Sequence, residues 1–121
     1  MRLQIVRIVD RGVPNKERLH LSVLQETDLS FYVVLLSRYL NRNLVVNGTL
    51  LAGFWFPNQP VQPGDQVVLL TGFGTASARR ETNGSTSYFY YWGSRNTLWA
   101  DPAGCAIVVE AANWATSPLG G

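Results

Sequence analysis

The chain has 121 residues, a length that suits one domain with a proper core, and its 46% hydrophobic and 15% charged residues exclude a disordered polymer. The net charge is +2, and nine of the ten cations are arginine, Lys16 being the exception, a bias toward bidentate pairing and stacking. So small an excess is a weak signal for nucleic acid, because its closest basic pair, Arg79-Arg80, is followed at once by Glu81. A single cysteine, Cys105, rules out an internal disulfide and a thiolate metal cluster. It lies in the apolar run Gly104 to Val109 and reads as a buried small hydrophobe. The opening residues Met1 to Gly12 mix charges into an apolar pattern and lack the features of a signal peptide. No stretch approaches the roughly 20 apolar residues of a membrane span. A soluble chain of unassigned compartment, with no membrane partner, is expected.

In chain order, Leu3 to Asp10 is strand-like, but its alternation slips, which predicts a bulge near Val6-Arg7. Asp10 to Asn15 is a loop. In Arg18 to Val23 the leucines and valine share one face while Arg18, His20 and Ser22 share the other, the pattern of a half-buried strand. Phe31 to Leu36 is apolar on both faces, as for a strand covered on each side or for the interior of a sandwich. Asn41 to Asn43 breaks the chain. Leu44 to Leu51 then reads as a hairpin around Asn47-Gly48, since Asn-Gly accepts the positive φ of a type I′ turn. Pro63-Gly64-Asp65 launches the clearest strand, Gln66 to Thr71, which leaves through Gly72-Phe73-Gly74. Arg79 to Ser87 is polar, with a second Asn-Gly at Asn83-Gly84, and reads as an exposed hairpin tip or long loop. Tyr88 to Trp92 is a row of five aromatics, Cys105 to Glu110 a last strand, and 116–121 a flexible tail. No helix is expected. Segments of this length between regular turns make an all-β sandwich or barrel.

Few residues carry a case for chemistry. The only phosphate-loop candidate, Gly72-Phe73-Gly74, lacks a third glycine and is followed by no amphipathic helix whose amides could meet an anion. It reads as the corner of a sheet. His20 is the only histidine, it sits within a strand, and it has no second ligand beside it, so neither a metal site nor a Ser-His-Asp site is expected. Glu26 and Asp28 fall in a polar turn and read as solvated rather than as a glycosidase pair. The aromatics are the stronger candidates: Trp55, Trp92, Trp99 and Trp114 with Tyr88 to Tyr91 either fill a core or form a stacking platform. In the row, Tyr88, Tyr90 and Trp92 share one face and Phe89 and Tyr91 the other; one face must be core, and the second is open to a partner.

The second half of the chain resembles the lamin-tail domain. The shared pieces are Phe56-Pro57, Pro63-Gly64 with Val67, Val68 and Leu69, Gly72 with Gly74, then Trp92, Asn96 and Trp99, and finally Gly104 with Ile107 and Val109. Upstream the likeness is looser: Ile5 to Gly12, Arg18 to Val23 and Asp28 to Phe31 take the places of the family's early segments, with Glu17 early, Ser22 near an expected acid, and a usual glycine missing after Ser30. The resemblance implies an immunoglobulin-like β-sandwich without catalytic residues or cofactor. With no coiled-coil rod and no basic import run in the sequence, a compact bacterial or phage-type relative is implied rather than a nuclear lamin.

The expectation is a single lamin-tail-like, immunoglobulin-like β-sandwich over residues 1–115, followed by the tail 116–121. Its expected role is a non-enzymatic structural or interaction module that contacts a protein partner or a second copy through a sheet edge or aromatic surface. The candidate surface is Tyr88, Tyr90, Trp92 and Trp99 with Arg79, Arg80 and Arg95, next to the polar segment Ala76 to Ser87. The alternative is a ligand-binding β-domain that stacks carbohydrate or single-stranded nucleic acid on those aromatics, with the arginines on phosphate.

Overall fold

The computed structural model describes residues 1–39 and 52–120 and is nearly all β. The strands are β1 (Leu3–Val9), β2 (Arg18–Val23), β3 (Thr27–Asp28), β4 (Tyr32–Arg38), β5 (Ala52–Trp55), β6 (Pro60–Val61), β7 (Gln66–Leu70), β8 (Ser77–Arg80), β9 (Thr86–Tyr91) and β10 (Gly104–Glu110). A 3-10 turn, Leu29–Phe31, joins β3 to β4. The predicted break at Asn41 to Asn43 and the hairpin around Asn47-Gly48 lie outside the described residues. Among the described residues no helix is long and apolar enough to cross a membrane.

Two sheets pack face to face. One has five strands in the order β1-β2-β7-β9-β8, and the other three in the order β10-β4-β5; β3 and β6 form a small third pair. The core lies between them: Leu3, Leu19, Leu21, Val23, Val67, Leu69 and Tyr90 from the large sheet meet Tyr32, Val34 and Leu36 from the small one. The one-sided alternation of β2 is observed as expected, with Leu19, Leu21 and Val23 buried and Arg18, His20 and Ser22 on the outer face. The register of β1 against β2 shifts between Ile5 and Arg7, so the bulge sits where the slip in alternation put it. Residues 10–15 turn as a loop in which Asp10 and Asn15 adopt φ of 53° and 64°, a region those two residue types tolerate better than most.

The Pro-Gly-Asp turn is built from its own residues. Gly64 takes φ of 91°, and the buried Asp65 carboxylate accepts from the Gln62 amide at 2.9 Å and the Thr86 amide at 2.9 Å. One side chain therefore closes the turn and positions the start of β9, twenty-one residues away.

The exit from β7 has a topological reason. Strand β9 pairs with β7 in parallel and with β8 antiparallel, so β9 is inserted between two strands that precede it. The chain at 71–76 must step across the end of β9, a span of about 10 Å or two strand spacings. Below the crossing, Trp92 N donates to Leu70 O, Gly93 N to Gly72 O, and Ser94 N to Thr71 O. Gly74 passes so close over Tyr91 that a Cβ there would run into the ring. The glycines of this corner serve a strand crossing, and a strand follows them, not a helix. Gly74→Ala is expected to cost about 1–3 kcal/mol, as overpacking does. Tyr91→Ala in the same chain should recover most of it, read from the thermal melts of the four members of a double-mutant cycle.

Residues 79–87 form the tip of the β8–β9 hairpin, one of the two expected forms, with Gly84 at φ of 90° in its turn; strand β8 carries no sequence signal because all four of its residues are exposed.

Candidate interaction surfaces

Four of the five aromatics in the row, Tyr88 to Tyr91, lie in β9 and Trp92 follows it; the alternation is seen, but the open face is the other one. Across from Val67 and Leu69, Tyr88 and Tyr90 point inward. Tyr90 is buried and Tyr88 and Trp92 pack against the core. Trp99 is fully buried (0%). Tyr90, Trp92 and Trp99 belong to a continuous aromatic cluster: Trp99 meets Trp92 edge-on at 6.0 Å, Trp92 lies 5.8 Å from Phe54, and Phe56 meets Phe54 at 5.1 Å and Tyr90 at 5.3 Å. Burial pushes the Tyr90 hydroxyl up to about 12, with Tyr88 and Asp28 adding to the effect. The proposed joint platform of Tyr88, Tyr90, Trp92 and Trp99 is therefore corrected: Tyr90 and Trp99 are core residues, and Tyr88 and Trp92 pack half-buried against that core. Phe89 and Tyr91 point outward instead, and each is capped by the chain itself: the Arg79 guanidinium sits 5.3 Å over Phe89, and Gly74 lies on Tyr91.

The three arginines do not form a cluster. Arg79 and Arg80 pair with Ser87 and Thr86 at the start of β9, while Arg95 follows its far end, about 17 Å along a strand of this length. Arg79 is also neutralised by Glu81 at 2.9 Å.

Several titratable groups are engaged in holding backbone. Glu17 is buried, and its carboxylate accepts from Gly12 N at 2.7 Å, Thr71 Oγ1 at 2.7 Å, Leu98 N at 2.6 Å and Trp99 N at 3.1 Å. Beside it Arg11 donates to the carbonyls of Trp99, Asp101 and Gly104 at 2.9–3.0 Å. An acid on the amides and a cation on the carbonyls thus hold the long segment 94–103, which has no strand of its own. Arg11 did not stand out in the sequence, and Glu17 did so only as an early acid in the lamin-tail resemblance, because their partners lie far along the chain. Asp28 caps the 3-10 turn: burial pushes its carboxyl up, but hydrogen bonds from Ser30 and the Gln59 amide outweigh this and hold it below the ordinary value. His20 lies on the outer face of the large sheet, accepting from Arg18 Nε at 3.2 Å; burial, then Arg18 and Arg7, lower its pKa. The buried Cys105 thiol is pushed up by burial, against a smaller opposing effect of Arg11.

The open apolar surface is the outer face of the three-stranded sheet. The register sets Trp55, Val33 and Val109 in one row and Gly53, Leu35 and Ile107 in the next. Trp55 is 48% exposed and Trp114 62%, and they meet edge-on at 4.9 Å; Phe31 stands open at the entry of β4. The indole of Trp55 is held by its Nε1 donating to Ser30 O at 2.7 Å. Strand β4, expected either to be covered on each side or to lie inside a sandwich, is the middle strand of the small sheet; its inner residues Tyr32, Val34 and Leu36 are buried, while Val33 and Leu35 remain half-buried. The doubly apolar pattern was legible, and its outer side is covered only in part.

Two grooves follow the seams where sheet edges meet. Between β1 and β10 lie adjoining hollows of about 390 and 230 Å³ that share Ile5 as a wall. On the opposite side a groove of about 340 Å³ runs between the start of β8 and residues 57–59, floored by Tyr88 and Tyr90. Compared with protein-family models, with curated proteins and with solved structures, the chain has no match in any of the three.

Proposed function

We propose that this chain is a non-catalytic structural module that self-associates through the outer face of its three-stranded sheet, on a lamin-tail-like, immunoglobulin-like β-sandwich. The observation that carries the reading is the uncharged pair of cross-strand rows, Trp55-Val33-Val109 and Gly53-Leu35-Ile107, flanked by Phe31 and Trp114. A contiguous exposed apolar patch on a small domain marks a contact surface, and two flat sheet faces pack well against each other at about 10 Å. The lamin-tail part of the reading is supported by where the shared motif residues fall: Pro63-Gly64 launches β7, Gly72 and Gly74 make the corner, and Gly104 opens β10. The non-catalytic part is supported by the use of Glu17, Asp28 and Asp65 as acceptors for backbone amides.

Sedimentation equilibrium across the micromolar range should show concentration-dependent dimerisation. Val109→Lys, which sets a charge in an exposed apolar row on the end strand of the face, and Trp114→Ser, which removes an exposed ring without touching the core, should each shift the chain to monomer. A chain that stays monomeric at every concentration, or variants that associate as the parent does, would overturn the reading.

A further inference from the structure

We infer a second recognition site on the other sheet: the free edge of β8, with the groove beside it, takes an extended peptide whose strand adds to the five-stranded sheet. Among the described residues strand β8 ends that sheet, with all four of its residues exposed, and an end strand presents a row of backbone N–H and C=O groups ready for another strand. The other end strand, β1, is interrupted by its bulge, a device that spoils edge pairing. Strand β8 carries no such irregularity, for Ser77 to Arg80 stay in step with Phe89 to Thr86.

The groove adjoins this edge and sets the chemistry of the occupant. Its walls are Ala76, Ser77 and Ala78 of the β8 side, Pro57, Asn58 and Gln59 opposite, and the rings of Tyr88 and Tyr90 below. Alanines leave room beside the edge, and tyrosine and proline offer an apolar floor with hydroxyl and amide groups at the rim. None of these lining residues is charged, so an uncharged side chain of moderate size fits. The volume of about 340 Å³ accommodates one or two such side chains on alternate positions of a strand.

Charge fixes the next position. Ala78 lies across from Tyr88 and Arg80 across from Thr86, so Ala78 and Arg80 share the groove-side face of β8. Arg79, on the opposite face, is paired with Glu81, whereas no ion pair engages Arg80 among the described residues. A strand added to β8 that places an uncharged side chain beside Ala78 places its residue two positions along beside Arg80. An acidic residue there gains a charge pair at the edge. The site therefore selects an extended segment with an apolar residue followed, two positions on, by a carboxylate.

The test is fluorescence anisotropy with a short dye-labelled peptide of alternating valine and threonine that carries one glutamate two residues from its central valine. Three comparison peptides replace that glutamate by lysine, N-methylate the alternate backbone amides, or shift the glutamate by one residue. The parent peptide should bind, N-methylation should weaken binding by at least about tenfold through lost backbone hydrogen bonds, and the lysine and shifted peptides should lose roughly two- to fivefold, the size of an exposed charge pair. The exposed substitution Arg80→Glu should reverse the preference between glutamate and lysine peptides, and Tyr88→Ala should weaken both. Val109→Lys, which acts on the other sheet, should bind the peptide as the parent chain does, so failure of the self-association reading leaves this result intact. Equal binding of the N-methylated peptide, no binding of any peptide, or displacement of the parent peptide by a neutral oligosaccharide such as cellotetraose would overturn the inference.

Discussion

Replacing Glu17 by alanine is expected to lower the unfolding free energy by about 3 kcal/mol or more, since each buried donor left unpaired costs about 1–3 kcal/mol. Four donors would be stranded at once: the amides of Gly12, Leu98 and Trp99 and the hydroxyl of Thr71. Some of that loss would be recovered by water entering the vacated space, so the four costs do not add. Glu17→Gln keeps the shape and one acceptor oxygen but turns an NH2 group toward donors, and should cost about 2 kcal/mol, within the range for a hydrogen bond to a charged group. Urea unfolding of the three chains checks the order alanine, glutamine, glutamate. A loss below about 1 kcal/mol for alanine, the net worth of one ordinary hydrogen bond, would show that the carboxylate is dispensable and that Arg11 alone holds segment 94–103.

The second large effect is at Trp99. Trp99→Ala should cost about 3–5 kcal/mol, the usual range for emptying the site of a buried aromatic, because the indole is fully buried and closes one end of the aromatic cluster against Trp92. Trp99→Phe is the informative partner. The Trp99 Nε1 is buried with no hydrogen-bond partner among the described residues, and such a group carries a desolvation cost. Phenylalanine loses contact area but removes that donor, so its penalty should be about 1–2 kcal/mol, well short of the alanine value. Equilibrium unfolding of both variants gives the comparison. Equal losses would mean that the indole N–H is satisfied in solution and that ring volume alone sets the energy.

Much of the fold was legible because it rests on local signals. The alternation of Arg18 to Val23 needs one wet face and one dry face, and β2 has them. Pro63-Gly64-Asp65 carries its own turn chemistry in a positive-φ glycine and a carboxylate that accepts from its neighbours. The bulge in β1 showed as a slip of phase. What failed was the choice of face in β9. Every residue from Tyr88 to Trp92 is aromatic, so parity was visible while hydropathy offered no contrast to say which parity is inside.

The sequence by itself determined an all-β chain, the positions of β1, β2, β4, β7 and β10 with the turns beside them, and the fact that Gly72-Phe73-Gly74 opens no helix. Tertiary structure alone decided that β9 slips in parallel between β7 and β8, that Trp99 is core, and that the open aromatic face belongs to Phe31, Trp55 and Trp114. The physical reason is range. Alternation and turn chemistry act over a few neighbouring residues, whereas burial is settled by whichever distant strand covers a face, and Glu17 meets its partners from positions 12, 71, 98 and 99 only once the chain has folded.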